Sequence, residues 1–374
     1  MTISSAATPS RRVLGLLLPT GHRLILVSAL TVLSALLPTS AQAAEPGWFW
    51  NRPHCDTVYG DGSVTITETD GEILAPTTGK LRAVTYAKVA ALQEPNTLIS
   101  IGQQTIQRSS DAGCSWQLLD KTPDDLSTYD VQPGPGDSAY VYSVNDQPIY
   151  RVHGGRVSAV LGPVEWHGLA ALDARPGRLR VVSGDGQLYD STDDGASWQR
   201  VGVPAARNLF LYDAAVDPRN PDHIVIGVSS NGVYTTFDGG RTWTQSRPVE
   251  RVNAFTVVMS PADPSKVWME GYDRDRATRF IWESTDGGLK FREVLDQSRA
   301  TLINGNHLWA SPTDPDLLYF SYGTSFANFG ADLYRFVPST GALTKHHNRN
   351  DGIPSLAFNP ANPQILYLGL AEER

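Results

Sequence analysis

The stretch Ser191-Thr192-Asp193-Asp194-Gly195-Ala196-Ser197-Trp198 decides the fold of this chain, because its pattern occurs four times. In each copy a Ser or Thr is followed by Asp, then Gly, then Trp or Phe at fixed spacing. The copies are Ser109–Trp116, Ser191–Trp198, Thr236–Trp243 and Ser284–Phe291. Their Asp residues lie 82, 45 and 48 positions apart. These steps fit a unit of roughly 45 residues with one unmarked unit between the first two copies, which indicates stacked supersecondary units.

A second repeat marks another turn of each unit, where an apolar run enters a Pro-rich polar turn and a further apolar run leaves it. Such runs are typical of strands bounded by turns. We therefore predict units of four strands, A to D, with the Pro-rich turn between A and B. The Ser/Thr-x-Asp-x-Gly pattern, called the repeat turn below, would join C to D. Seven Pro-rich turns predict seven units, at Glu94-Pro95, Gln132-Pro133, Asp173–Pro176, Asp217–Pro221, Ser260–Pro264, Ser311–Pro315 and Asn359–Pro363.

The last unit lacks room for strands C and D, since only 15 residues follow Asn359. Ser63–Thr67 alternates as a strand does, and Thr69-Asp70-Gly71 resembles a weakened repeat turn. Sharing one unit between both ends of the chain would cover two open sheet edges. We therefore predict an all-β fold: a single seven-bladed β-propeller over residues 44–374, with N- and C-terminal strands in the closing blade.

The repeat turn resembles the Asp box, or bacterial neuraminidase repeat, of exported β-propellers, and the resemblance extends from Cys55 to Arg374. In such a turn the Asp carboxylate and the Ser or Thr hydroxyl bond backbone N–H groups, and Gly supplies a positive φ. The aromatic residue buries apolar surface between sheets. We therefore expect structural and not catalytic roles for Asp111, Trp116, Asp193, Trp198, Asp238, Trp243, Asp286 and Phe291.

Residues 1–43 have the pattern of a signal peptide. Positive charge at Arg11, Arg12 and Arg23 accompanies the uncharged run Leu24–Leu37, and Ala41-Gln42-Ala43 offers a cleavage site. Ser10–Leu14 also resembles the start of a twin-arginine signal, so the export route stays open. The apolar run is shorter than the roughly 20 residues of a spanning helix. We expect a periplasmic or secreted protein without a membrane span after cleavage.

The net charge limits the class of partner, and the two cysteines indicate a disulfide. Cleavage would leave 28 basic and 39 acidic residues, a net charge of −11, which argues against nucleic acid. Two cysteines in an exported chain most often pair, so we predict a Cys55–Cys114 disulfide, with two unpaired thiols as the alternative. No spacing resembles a zinc or haem site, and we expect no metal and no cofactor.

The most promising binding face is the one built from B–C and D–A loops at the mouth of the central channel. Four arginines, each on a different blade, could converge there on an anionic group. The alternative is that they are solvated and paired with neighbours such as Glu250 or Asp351. The long loop 270–278 adds an aromatic and charged rim. Our candidate binding residues are Arg82, Arg207, Arg251, Arg349, His167, His307, Tyr272 and Asp273.

Three groups of Asp-box propellers suggest functions. Sialidases carry an early Arg-Ile-Pro-type motif that is missing here, and xyloglucanase-like hydrolases pair two propellers in a longer chain. Photosystem II assembly-factor-like and YVTN-type propellers resemble this chain best in size and scattered arginines. The resemblance implies a non-catalytic binding or assembly protein, most simply a monomer, whose partner is another protein or an anionic carbohydrate. The alternatives are a secreted modulator of a protease or other enzyme, and a glycoside hydrolase using two of Asp146, Asp185, Glu270, Asp273 and Asp275.

Overall fold

The computed structural model of the protein describes residue 55 and residues 64–75, 87–102, 104–122, 129–143, 148–164, 168–205, 210–302, 307–323, 330–348 and 351–372. Over these ranges the chain forms seven antiparallel sheets, the blades of a β-propeller. No helix in the described part is long and apolar enough to cross a membrane. The predicted all-β, seven-bladed fold is therefore confirmed.

Six blades contain four strands in chain order. Blade 1 comprises β2 (Lys88–Ala91), β3 (Leu98–Gly102), β4 (Thr105–Ser109) and β5 (Gln117–Lys121). Blade 2 comprises β6 (Tyr129–Pro133), β7 (Ser138–Ser143), β8 (Pro148–His153) and β9 (Arg156–Leu161). Blade 3 comprises β10 (Leu169–Arg175), β11 (Arg178–Ser183), β12 (Leu188–Ser191) and β13 (Gln199–Val201).

The next three blades repeat this order. Blade 4 comprises β14 (Leu211–Val216), β15 (Ile224–Val228), β16 (Gly232–Thr236) and β17 (Thr244–Gln245). Blade 5 comprises β18 (Val252–Met259), β19 (Val267–Asp273), β20 (Thr278–Ser284) and β21 (Arg292–Asp296). Blade 6 comprises β22 (Leu308–Ala310), β23 (Leu318–Gly323), β24 (Ala331–Val337) and β25 (Ala342–Asn348).

Blade 7 closes the ring as predicted. Its described strands are β26 (Asp351–Phe358), β27 (Leu366–Glu372) and the N-terminal β1 (Val64–Thr67). β1 pairs antiparallel with β27, in the register Val64↔Gly369 to Thr67↔Leu366. Both ends of the propeller domain thus build one sheet, and each covers an edge that the other would leave open.

The core lies between neighbouring blades. The second strands of blades 1, 2 and 4 are buried along their whole length, as expected for strands covered on both faces. Trp268 of blade 5, for example, is fully buried and belongs to one apolar cluster with Leu308 and Phe336 of blade 6. Each blade therefore depends on the next for burial.

The repeat turns join the third and fourth strands, and in each copy the Ser or Thr hydroxyl donates to the Asp and accepts the N–H of the Gly. The turn of blade 5 differs in that Asp286 accepts two further backbone N–H groups and no second hydroxyl. In blade 3, Ser191 Oγ donates to Asp193 and accepts the N–H of Gly195. The Asp193 carboxylate accepts the N–H and hydroxyl of Ser197 at 2.8 and 2.6 Å. These bonds lower the pKa of Asp193 to about 2, and equivalent bonds from Thr242 do the same for Asp238.

The aromatic residues of these turns are less uniform than their sequence suggests. Phe291 is buried, but the three tryptophans are only half-buried. The indole N–H of Trp198 donates to the Leu161 carbonyl of blade 2 at 3.0 Å, and that of Trp243 donates to Val203 at 2.9 Å. These two tryptophans therefore link their turn to the end of the preceding blade by a hydrogen bond as well as by packing.

The closing blade carries the weakened copy of the turn. Thr67 and Thr69 take the places of the usual Ser/Thr and Asp, since Thr67 Oγ1 accepts the N–H of Gly71 and Thr69 Oγ1 that of Ile73. The predicted disulfide is present and joins Cys55 to Cys114, inside the repeat turn of blade 1. It thereby ties the N-terminal segment to the first blade.

Candidate interaction face at the channel mouth

The channel-mouth face is defined by the ends of the blades at which each first strand begins. In a four-stranded meander the B–C loops and the connections to the next blade lie at the same end. Four of the candidate residues predicted for this face lie outside the described residues: Arg82, His167, Arg207 and Arg349. Their convergence remains a prediction, and the described candidates are Arg251, Tyr272, Asp273 and His307.

Arg251 stands exposed at the start of β18 and is paired. Its Nε lies 2.9 and 2.8 Å from the two carboxylate oxygens of Asp275, whose side chain is also exposed. The partner is thus Asp275 of the B–C loop in the same blade, so for Arg251 the structure agrees with the alternative of a solvated arginine paired with a neighbour. An exposed pair of this kind contributes little to stability. It leaves a guanidinium and a carboxylate available to an incoming partner.

The predicted long loop 270–278 is mostly strand, since β19 runs to Asp273 and β20 starts at Thr278, which leaves a turn of four residues. Tyr272 and Asp273 lie at the end of β19, and each contacts an arginine. Asp273 accepts the Nε–H of Arg276 at 2.6 Å and two backbone N–H groups. Partial burial acts to raise the pKa of Asp273, but these hydrogen bonds outweigh it and the pKa is lowered. The guanidinium of Arg279 lies 5.5 Å from the ring centre of Tyr272. Blade 5 therefore presents a rim of paired charges.

His307 belongs to the seam between blades 6 and 7. Its Nδ1 lies 3.1 Å from Ser321 Oγ, and that hydroxyl donates to the Ile353 carbonyl at 2.7 Å. Nδ1 therefore carries the proton and donates to Ser321. Burial, together with the charge of Lys88, lowers the pKa of His307 to about 4. The ring is neutral at physiological pH and supplies no positive charge to the face.

The mouth also carries an aromatic group that was not predicted from the sequence. It consists of Phe210, Tyr212 and Phe255, whose successive ring centres lie 5.5 and 4.9 Å apart. Tyr212 and Phe255 occupy bulges of the first strands of blades 4 and 5, and Phe210 is 62% exposed. The hydroxyl of Tyr212 donates to Ser229 Oγ at 3.2 Å. The only signal in the sequence was an aromatic residue near the start of two neighbouring A strands.

Below the mouth, the channel holds a polar cavity of about 240 Å³ whose lining includes Asp130, Tyr142 and Asp213. Burial raises the pKa of Asp213 to about 7, even though its carboxylate accepts the N–H groups of Val257 and Ala214. The Val257 bond joins the first strands of blades 4 and 5. Asp213 therefore links blades 4 and 5, and its carboxyl keeps its proton to a higher pH than an ordinary aspartate does.

The described carboxylates considered for a hydrolase are each either engaged by neighbouring groups or buried. Asp185 accepts hydrogen bonds from Ser183 and Gln187 within its own turn, while Asp273 and Asp275 are held by arginines. Burial raises the pKa of Glu270 well above its usual range. Asp146 lies outside the described residues. Among the described residues no three His, Cys, Asp or Glu side chains could hold a metal ion.

Comparisons with solved structures support the fold. The GH74 enzyme of Niastella koreensis matches with a TM-score of 0.59 and 15% identity, over 77% of this chain and 51% of the enzyme. This chain thus spans about half the length of that enzyme. YCF48 from Cyanidioschyzon merolae matches with a TM-score of 0.57 and 13% identity, over 78% of this chain and 97% of YCF48. At such identities the likeness shows a common propeller fold and nothing more.

Sequence comparisons go further. The family model described as Sortilin, neurotensin receptor 3 (Sortilin-Vps10) matches residues 186–357. A curated relative, the dispase autolysis-inducing protein of Streptomyces mobaraensis, is 39% identical over 358 residues. The match covers 91% of this chain and 95% of the relative. Identity of this level over nearly the full length of both proteins establishes a family relationship, and the chain belongs to the family of the dispase autolysis-inducing protein.

Proposed function

We propose that this chain is an exported, non-catalytic propeller that binds another protein through its channel-mouth face and thereby promotes the self-digestion of a protease. The observation that carries the proposal is the 39% identity with a relative named for inducing autolysis of dispase. Autolysis is self-digestion, so the relative's name describes an effect on another protein. Such a function is that of a secreted modulator of a protease, which is one of the alternatives that the sequence left open.

The chemistry of the face is suited to protein binding. Exposed Phe210 gives an apolar anchor, and the Arg251–Asp275 pair of the neighbouring blade gives charges of both signs. Aromatic and arginine side chains are the residue types that most often dominate binding energy in protein interfaces. If Arg82, Arg207 and Arg349 also lie at the mouth, the positive charge would select an acidic patch on the partner.

The other parts of the proposal follow from the sequence. We propose that residues 1–43 are removed on export, to the periplasm or the exterior, and that the repeat turns are structural Asp boxes. An assembly role without any protease remains the nearest alternative. A glycoside hydrolase is less well supported, because the described candidate carboxylates are buried or engaged as set out above.

The test is a time course of dispase self-digestion, followed by gel electrophoresis, with and without the purified protein. We expect faster appearance of fragments, and a loss of that effect in Phe210→Ser combined with Arg251→Glu. The melting temperature of this double variant should match that of the native protein, since both substituted side chains are exposed. Unchanged autolysis, together with cleavage of aryl-glucosides or aryl-sialosides, would replace the proposal with the hydrolase alternative.

A further inference from the structure

The outer strands of the blades differ in how their open edges are protected. Open edges are normally blunted by short length, charged side chains or bulges. In the described blades β13 and β17 have three and two residues, and β5 and β21 carry charged residues and a register shift. β25 is long but contains Lys345, His346 and His347. Each of these five edges therefore has at least one protective feature.

β9 is neither short nor bulged, and it carries no charge beyond its first position. Its sequence Arg-Val-Ser-Ala-Val-Leu runs for six residues without a register shift, and its single charge, Arg156, is at its first position. Leu161 at the other end is 66% exposed. The strand belongs to a blade that lacks the repeat turn, and it follows the tight turn Gly154-Gly155, in which both residues have positive φ.

The hairpin register shows which backbone groups of β9 face outward. A two-residue turn makes His153 and Arg156 a hydrogen-bonded pair, and such pairs alternate along an antiparallel ladder. Val157, Ala159 and Leu161 therefore direct their N–H and C=O groups away from β8. The bond from Trp198 Nε1 to the Leu161 carbonyl agrees with this assignment. No described residue bonds the outward groups of Val157 or Ala159.

We propose that β9 is a second interaction surface, at which an extended segment of another protein adds as a fifth strand of blade 2. Main-chain bonds to Val157 and Ala159 would supply affinity, as in other cases of strand addition. The same two residues, with Leu161, form an apolar row on one face of the strand. The segment would therefore carry β-branched or aromatic residues at alternate positions, where they pair across the ladder.

A second copy of this chain fits the edge less well. Six residues extend for about 20 Å, and the outward carbonyl at one end is already bonded to Trp198. Pairing of two such edges cannot by itself supply the ~1,200–2,000 Å² that stable interfaces bury.

The test uses the purified exported protein and a fluorescein-labelled peptide of alternating Thr and Val flanked by Lys. Ala159→Pro removes one outward N–H, and Pro is tolerated on edge strands. Ala159→Val at the same position keeps the N–H and is the matched control. We expect Ala159→Pro to weaken peptide binding at least tenfold and Ala159→Val to preserve it. Amide exchange of the native protein with peptide should slow at least tenfold at Val157 and Ala159.

Thermal melts show whether Ala159→Pro is folded. If it is not, Val157→Lys is the second variant in which strand addition at β9 is hindered. Equal binding by native protein, Ala159→Pro and Val157→Lys would overturn the proposal, as would unchanged exchange at Val157 and Ala159. A dimer of the native protein that Ala159→Pro abolishes would make the occupant a second copy, which also overturns it. Phe210→Ser should leave peptide binding unchanged, so this result and that for the channel-mouth face are independent.

Discussion

The rim of repeat turns and the channel-mouth face lie at opposite ends of the same blades and are built on opposite principles. At the rim, Ser191, Thr236 and Ser284 each make the same two bonds to the Asp and Gly of their turn. At the mouth, the described residues show the aromatic group and the Arg251–Asp275 pair once each. Repetition therefore specifies the fold, and the residues that depart from it are the ones suited to recognition.

The largest expected difference in stability is between two Phe→Ala substitutions, one at the rim and one at the channel mouth. Phe291 is 5% exposed and packs in the cluster of Val225 and Val233, so Phe291→Ala should lower the free energy of unfolding by about 3–5 kcal/mol. Phe210→Ala should change it by less than about 0.5 kcal/mol, because the ring is mostly in solvent. Urea denaturation measures both. Equal losses would show that the mouth is as much part of the core as the rim.

The disulfide offers the next largest effect. It closes a loop of 59 residues, for which the chain-entropy estimate is about 4 kcal/mol. The double variant Cys55→Ser with Cys114→Ser should therefore lose about 2–4 kcal/mol, while its partner binding at the mouth stays the same. Melts of the native protein with and without reductant provide the control. If reductant leaves the melting temperature unchanged, the bridge does not stabilise the rim.

The sequence predicted the repeated parts well for a physical reason. Turn chemistry is local, so Asp193 and Gly195 identify their hairpin wherever it occurs, and seven Pro-rich turns count the blades. The site was harder because it depends on contacts between distant residues. Arg251 was predicted as an anion-binding residue, but its partner Asp275 is 24 positions away across a loop. The aromatic group arises from strand bulges, which leave no pattern in a single sequence.

The stability contributed by the inner wall of the channel should change with pH in the opposite direction from that contributed by the rim. Asp213 has a pKa of about 7 in the folded protein, against an ordinary value of 3.8. Between these values the folded state keeps a proton that the unfolded state has released, so the contribution of Asp213 to stability falls as pH rises from about 4 to 7. Asp213→Asn should remove this decline when unfolding is measured at several pH values.

His307 acts in the opposite direction over a similar range and must be left intact in that experiment. Its pKa of about 4 lies below the ordinary 6.5, so its contribution to stability is lost as pH falls through this window. The difference between native protein and Asp213→Asn isolates the carboxyl. A difference that does not vary between pH 4 and 7 would contradict the raised pKa of Asp213.

The smallest expected effect is at the rim itself. Hydrogen bonds from Ser197 hold the pKa of Asp193 at about 2, so its stabilising contribution is present above about pH 4 and is lost as pH falls towards 2. Asp193→Asn should be slightly less stable than the native protein at neutral pH and should lose less stability on acidification. Asp194→Asn is the matched control, since Asp194 lies in the same turn but pairs with Arg151 of blade 2. If both variants show the same acid profile, the carboxylate of Asp193 is not what secures the turn.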